Sequence, residues 1–237
     1  MYRVVLFGYN FKHKKSEDFL HILSKNSVKV VAFIGANSVK INRNEKIYNK
    51  NIPRLIIYHP KQLCDKYQIP FFESVHNSKT TRKIIEDTKA NLGIISGARI
   101  ISNDIIDMFK YGIINFHPGQ IPLASGLDGF FWSIYKGISP YVTTHLIDKK
   151  IDAGEIIFSE KVPLKIDDRI EDIRHRISLI ENNELEKICD KFLLKNKKIK
   201  SKPISDYISA NRSMGPNKQR EVLKKFEEWK RNIIYYK

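Results

Sequence analysis

Cysteine is nearly absent: Cys64 and Cys189 are the only two in 237 residues. Two isolated thiols without metal-ligand spacing exclude a disulfide scaffold and argue against a structural zinc site. No apolar run approaches the length of a secretory or membrane-spanning segment, and the first strand-like run begins almost at Met1. A reducing, cytoplasmic setting without membrane insertion is the expectation. Acidic side chains are scarce as well: 26 Asp and Glu stand against 42 Lys and Arg, a formal net charge of +16. Residues 187–237 alone hold 15 Lys or Arg and 5 Asp or Glu. Such a segment attracts nucleic acid, an anionic surface or a phosphorylated small molecule, and it equally describes a lysine-rich solvated face. Charge alone selects no function.

Hydrophobic residues, by contrast, make up 42% of the chain, enough to bury a sizeable core. "YRVVLFGYN" reads as a buried strand, followed by a helix "SEDFLHILSKN" with Ser16 as its N-cap. "VKVVAFIGA" is a second strand. "PRLIIYH" adds a short strand, then come a helix from about Pro60, the strand-like "IPFFE" and the helix "SKTTRKIIEDTKA". "NLGIISGA" is a buried strand, "NDIIDMFKY" a helix and "GIINFH" a strand. This alternation predicts an α/β, Rossmann-like, mainly parallel twisted sheet with helices on both faces.

After Ile121 the order changes. "LDGFFWSIYKG" reads as a helix burying Phe130, Trp132 and Ile134, "YVTTHLID" and "GEIIFSEKVPL" as strands, and residues 168–194 as a long helix. The expected division is a catalytic domain over 1–200 and a basic C-terminal extension over 201–237. In that extension Leu223, Phe226, Trp229 and Ile233 fall at helical spacing, forming a stripe that packs on the core or builds a homodimer.

Three stretches carry the chemistry: "GARI" at 97–100, "NFHP" at 115–118 and "THLIDKKIDAG" at 144–154. Side chains alternate across a strand, so Asn115 and His117 project to one side and Phe116 to the other, while Pro118 closes the strand. A polar pair where a parallel strand stops is typical of α/β sites, although a hydrogen-bonded Asn and a partly buried His fit the same pattern. Taken together with "HPGQIPLASG", the three stretches resemble the catalytic core of the 10-formyltetrahydrofolate-dependent formyltransferases. That family includes glycinamide ribonucleotide, methionyl-tRNA and sugar N-formyltransferases. The resemblance rests on an Asn-x-His-Pro strand end, a glycine loop and an Asp-x-Gly turn, here Asn115, His117, Gly126, Asp152 and Gly154. It covers residues 90–165 in motif and the first ninety in fold pattern only.

The resemblance implies a formyltransferase fold and transfer of a formyl group from 10-formyltetrahydrofolate, the co-substrate, to an amine, with no metal. Asn115 would stabilise the oxyanion of the tetrahedral intermediate. His117 would donate to that oxyanion or manage the amine's proton. Asp152 would pair with His117, raising its pKa and fixing its tautomer, or pass protons through a water. Arg99, Ile100 and Ile101, with the loop from Asp148 to Gly154, would form the pterin pocket, although plain core also fits the two isoleucines. Tyr9, Asn10, Lys12, Ser125, Gly126 and His145 would serve the acceptor side, His145 as a supporting polar group.

Several features bear on the acceptor. "GYNFKHKKSE" after the first strand has no glycine nest for a ribotide phosphate. Fewer residues follow the core than the barrel domain of the tRNA enzymes needs, "PLASG" lacks the Arg and Tyr of their loop, and no regulatory domain for hydrolysis precedes Met1. The expected acceptor is a nucleotide-linked amino-deoxy sugar, with a place in lipopolysaccharide O-antigen biosynthesis. Lys12, Lys14 and Lys15, or Arg212, would meet its diphosphate, and Tyr9 or Trp132 would stack on its base. The alternatives are a methionyl-tRNA or glycinamide ribonucleotide acceptor, or an inactive RNA-binding relative. The intact Asn115, His117 and Asp152 speak against the last, and nucleic acid is not an expected partner.

Overall fold

Runs of Val, Ile and Phe with no exposed face become the inner strands of a sheet. A computed structural model describes residues 1–39, 58–204, 206 and 208–236. Strands β1 (Val4–Tyr9), β2 (Val30–Ala36), β3 (Phe71–Glu73), β4 (Leu92–Ile95) and β5 (Ile113–His117) run parallel in the order β3-β2-β1-β4-β5. The sheet then continues antiparallel through β6 (Tyr141–Leu146), β7 (Glu155–Lys161) and the short β8 (Lys202–Pro203), eight strands in all. The expected mainly parallel α/β sheet is therefore present.

Helices cover both faces. On one, α1 (Lys14–Lys25), α2 (Pro60–Lys66) and part of a later helix bury Phe19, Leu20, Leu23, Leu63, Cys64, Leu185 and Ile188. On the other, α3 (Lys79–Asp87) and α4 (Asn103–Ile106) bury Ile84, Ile85 and Ile105. The chain passes from β3 on one side of β1 to β4 on the other, which opens a crevice at the C-terminal ends of β1 and β4. Helices α5 (Gly129–Tyr135), α6 (Ile170–Ile188, extended by a π-turn Cys189–Leu193) and α7 (Pro216–Tyr236) complete the fold. Burial pushes both thiols up to about 12, so neither Cys64 nor Cys189 is a thiolate near neutral pH. Among the described residues no helix is long and apolar enough to cross a membrane.

Several local expectations need correction. Ser16 is not an N-cap: α1 begins three residues earlier than expected, at Lys14 after His13, and Ser16 lies buried in the first turn, bonded to Ser96. The α4 helix is one turn long, because the chain leaves it through turns into Gly112 at φ 75°. The strand expected at "PRLIIYH" falls mainly outside the described residues. In α7 the buried stripe is Val222, Phe226, Trp229 and Ile233, whereas Leu223 is exposed. That stripe packs on the core, against Phe130, Phe131 and Trp132 of α5.

Trp229 anchors this contact, with its indole N–H donating to the Ile138 carbonyl at 2.9 Å and its ring edge-on to Phe130. Trp229→Ala is expected to cost about 3–5 kcal/mol, as large aromatic truncations in cores do. Chemical denaturation of the folded variant measures it.

Candidate active site

Strand alternation delivers Asn115 and His117 to one face of β5 and sends Phe116 into the core on the other. β6 runs antiparallel beside them in a register that puts His145 opposite Asn115 and Thr143 opposite His117. The β6–β7 register shifts by one between Thr144 and His145, leaving Ile157 of β7 without a partner in the ladder. The β6–β7 loop then brings Asp152 back over these residues. Its backbone is left-handed, φ 50°, and its side chain is 9% exposed.

Three groups converge on the Asp152 carboxylate. The Gly126 N–H donates to Oδ2 at 2.6 Å, His117 Nδ1 lies 3.4 Å from the same oxygen, and His145 Nε2 lies 3.4 Å from Oδ1. Asn115 Nδ2 lies 3.2 Å from His145 Nε2, and its second N–H remains for another acceptor. His145 Nδ1 lies 3.3 Å from the Leu146 carbonyl oxygen. The turn that presents Gly126 cannot carry a side chain. Its φ is 90°, and a Cβ there would sit 2.2 Å from the Asn211 carbonyl oxygen. Gly154, closing the Asp152 turn, is equally confined: its Cβ would fall 1.8 Å from the Leu146 oxygen.

Burial opposes ionisation of Asp152, but the neighbouring imidazoles and the Gly126 N–H prevail and hold it down to about 2. At neutral pH it is a carboxylate. The expectation that Asp152 raises the His117 pKa needs correction. Burial lowers it and outweighs the opposing pull of Asp152 and the Ala124 carbonyl. His117 therefore rests neutral, with its one proton on Nε2, donated to the Ala124 carbonyl at 2.8 Å. Its Nδ1 lone pair faces a carboxylate. The ring is a single proton short of satisfying both of its acceptors.

Most of the other expected site residues lie apart from this cluster, whereas Ser125 and Gly154 flank it. Tyr9 donates to the Ala98 carbonyl and stacks on Phe11 with ring centroids 4.8 Å apart. Asn10 is bonded to Asn37 and Glu73, and Lys12 is exposed. Arg99 and Ile100 are exposed and line a cleft of about 300 Å³ with Asn37, Val75 and His76, while Ile101 is buried in the core beside Ile105. Asp148 and Gly154 line a different cleft of about 580 Å³, with Tyr111, Gly112 and Ile199. Ser125 is fully buried and donates to the Pro122 carbonyl. Among the described residues no group of His, Cys, Asp and Glu is arranged to hold a metal.

The basic residues also differ from expectation. Lys15 does not face a diphosphate, because it turns inward to Glu181 and the Phe116 carbonyl, and Lys14 pairs with Asp18. Trp132 is 9% exposed, with Lys218 4.9 Å from its ring centre, and it lines a cleft of about 540 Å³ with Asn211 and Arg212. Missed altogether were Glu181, Glu184 and Asn211. The two glutamates fall three apart on the buried face of α6 among Ile177, Ile180, Leu185 and Ile188, a carboxylate pair inside an apolar stripe. Asn211 gives no sequence signal. It holds the Ser125–Leu127 loop by donating from its backbone and side chain to the Ser125 carbonyl and accepting from Leu127.

Two carboxylates give opposite pH signatures. Asp152 is depressed to about 2, so its stabilisation is present above its unfolded value of 3.8 and is lost as pH falls towards 2. This amounts to about 2–3 kcal/mol. Asp152→Asn is expected to flatten that acid limb in urea midpoints while lowering stability at pH 6. Burial raises Glu184, bonded by the Thr144 hydroxyl, from 4.5 to about 7, so stability is lost as pH rises through that interval. Glu184→Gln is expected to remove about 3 kcal/mol of that fall.

Residues 3–188 match the formyl transferase family. The methionyl-tRNA formyltransferase of Mycoplasma genitalium is 28% identical over 158 residues, covering 66% of this chain and 47% of that protein. The trifunctional purine biosynthetic protein adenosine-3 of Gallus gallus is 26% identical over 154 residues, 64% of this chain and 14% of that protein. The chain thus spans about half the length of the methionyl-tRNA formyltransferase. Solved structures share the fold, among them these two. Phosphoribosylglycinamide formyltransferase from Anaplasma phagocytophilum aligns with TM-score 0.64 and 18% identity over 89% of this chain and 98% of that one. The formyltransferase PseJ from Anoxybacillus kamchatkensis, solved with UDP-4,6-dideoxy-4-formamido-L-AltNAc and tetrahydrofolate, aligns with TM-score 0.58 and 19% identity over 94% and 90%. By its fold, by the Asn-x-His-Pro end of β5 and by the match over residues 3–188, the chain belongs to the formyl transferase family.

Proposed function

We propose that the protein transfers a formyl group from 10-formyltetrahydrofolate to the primary amine of a nucleotide-linked amino-deoxy sugar. The observation that carries the transfer chemistry is the convergence of His117 and His145 on the buried Asp152 carboxylate, with Asn115 beside His145 and His117 one proton short. The acceptor amine attacks the formyl carbon, and the bond to the folate nitrogen breaks as the carbonyl re-forms. The second Asn115 N–H is the donor for the developing oxyanion. A carboxylate held near 2 is too weak a base to keep the amine proton, so Asp152 orients and supports the charge. His117 Nδ1 takes the proton, and the imidazolium so formed is satisfied by Asp152 and Ala124 together. A low resting pKa then lets it release the proton to the departing folate nitrogen.

Two features support a sugar acceptor. The likeness to PseJ runs through most of both chains, including the C-terminal part. The turn after β1 presents Tyr9 stacked on Phe11, a platform for a base, and not a glycine nest for a ribotide phosphate. Lys12 and Arg212 remain for the diphosphate. A second reading, formylation of methionyl-tRNA, is favoured by the sequence relatives.

Mass spectrometry with 10-formyltetrahydrofolate and a panel of nucleotide-linked amino sugars tests the acceptor, with glycinamide ribonucleotide and charged initiator tRNA alongside. One added formyl group on a nucleotide sugar, at a rate that changes little with salt, is expected. Transfer to the tRNA that falls steeply with salt would replace this reading with the second. In the same assay Asn115→Ala is expected to lower turnover about a hundred- to a thousand-fold. Combining it with Asp152→Ala should cost far less than the product of the two single losses.

A further inference from the structure

The strand that carries the site has only one neighbour where it matters. The β4–β5 ladder pairs Gly93 with Ile113 and Ile94 with Ile114, and stops there. Asn115, Phe116 and His117 are paired with β6 alone. A strand end of this kind frays unless something outside the sheet holds it. Here the holder comes from the first turn of α1. Lys15 Nζ donates to the Phe116 carbonyl at 3.0 Å and to Glu181 Oε1 at 2.9 Å. The rings of Phe19 and Phe116 flank the ammonium at 5.5 and 5.6 Å. One turn further along α6, Glu184 accepts from the hydroxyl of Thr144, the register partner of Phe116. The register pair between the site's two rungs is thus held from behind on both strands.

The pair is partly buried, with the Lys15 side chain 22% and that of Glu181 8% exposed, and such an ion pair is no stabiliser by default, since an apolar pair of similar volume often does as well. Its presence calls for another explanation. We propose that Lys15, pinned by Glu181, is a positioning residue: its ammonium fixes the Phe116–His117 peptide and sets the placement and electrostatic surroundings of His117. Four groups bear on that imidazole. Asp152 and the Ala124 carbonyl favour its protonation, while His145 and Lys15 oppose it in addition to burial. Lys15 therefore helps keep Nδ1 open as a proton acceptor. Its meaning for catalysis rests on the formyl-transfer reading, but its effect on His117 does not.

The test uses Lys15→Met combined with Glu181→Gln, which removes both charges and orphans neither, beside Lys15→Arg, which keeps the charge. The His117 ring is titrated by NMR, its signal assigned by its loss in His117→Asn, and kcat and KM are measured on the same proteins. In the double variant His117 is expected to protonate about half to one pH unit higher. Its kcat is expected to fall about tenfold with KM little changed, as for a small misplacement of a reacting group. Lys15→Arg should titrate as wild type does. If the double variant does not fold, Lys15→Gln with Glu181→Gln is read the same way. An unmoved His117 midpoint or an unchanged kcat in a cooperatively folding double variant overturns the proposal. If wild type transfers formyl to no acceptor, the functional reading fails, and the titration alone decides this one.

Discussion

A carboxylate taken out of water must be hydrogen-bonded or neutralised on every side, and at Asp152 this requirement gathers distant parts of the chain. The oxygen nearest β5 takes the Gly126 N–H from the loop beyond that strand and faces His117, while the other faces His145 on β6. None of these groups is near Asp152 in sequence except His145. The strained backbone at residue 152 and the Cβ-intolerant positions 126 and 154 are the local consequences of bringing them together.

The same requirement reaches outward. Gly126 holds its position because Asn211 clasps the residues on either side of it, and Asp128, one turn later, accepts from the Met214 N–H. The segment leading into α7 is thereby part of the wall of the site, and the packing of α7 on α5 keeps it there. Behind the sheet, Glu181 and Glu184 serve β5 and β6 through Lys15 and Thr144. Polar groups on the two sides of the sheet thus act on the same short stretch of strand.

Much of this was legible in advance. The alternation of strands and helices predicted the sheet because burial on both faces demands continuous apolar runs, and the spacing of Asn115 and His117 placed them on one face because strand geometry has a period of two. The pairing of His117 with Asp152 followed only from family resemblance, since the 34 intervening residues have no local geometry to read. The fate of the lysines was not legible. Lys12, Lys14 and Lys15 look alike in sequence, yet the first is exposed ahead of α1, the second pairs with Asp18, and the third turns inward to Glu181.

The sequence by itself determined the period of each element, the apolar faces and the residue types available for proton and oxyanion chemistry, because these depend on neighbours within one or two turns. Only the tertiary structure decided the charge state of His117, since burial and a carboxylate from another loop compete there. It also decided that Ile101 is core while Ile100 is surface, and that Asn211 belongs to the site loop. Each of these is set by contacts between segments far apart in the chain, and such contacts exist only once the helices have packed onto the sheet.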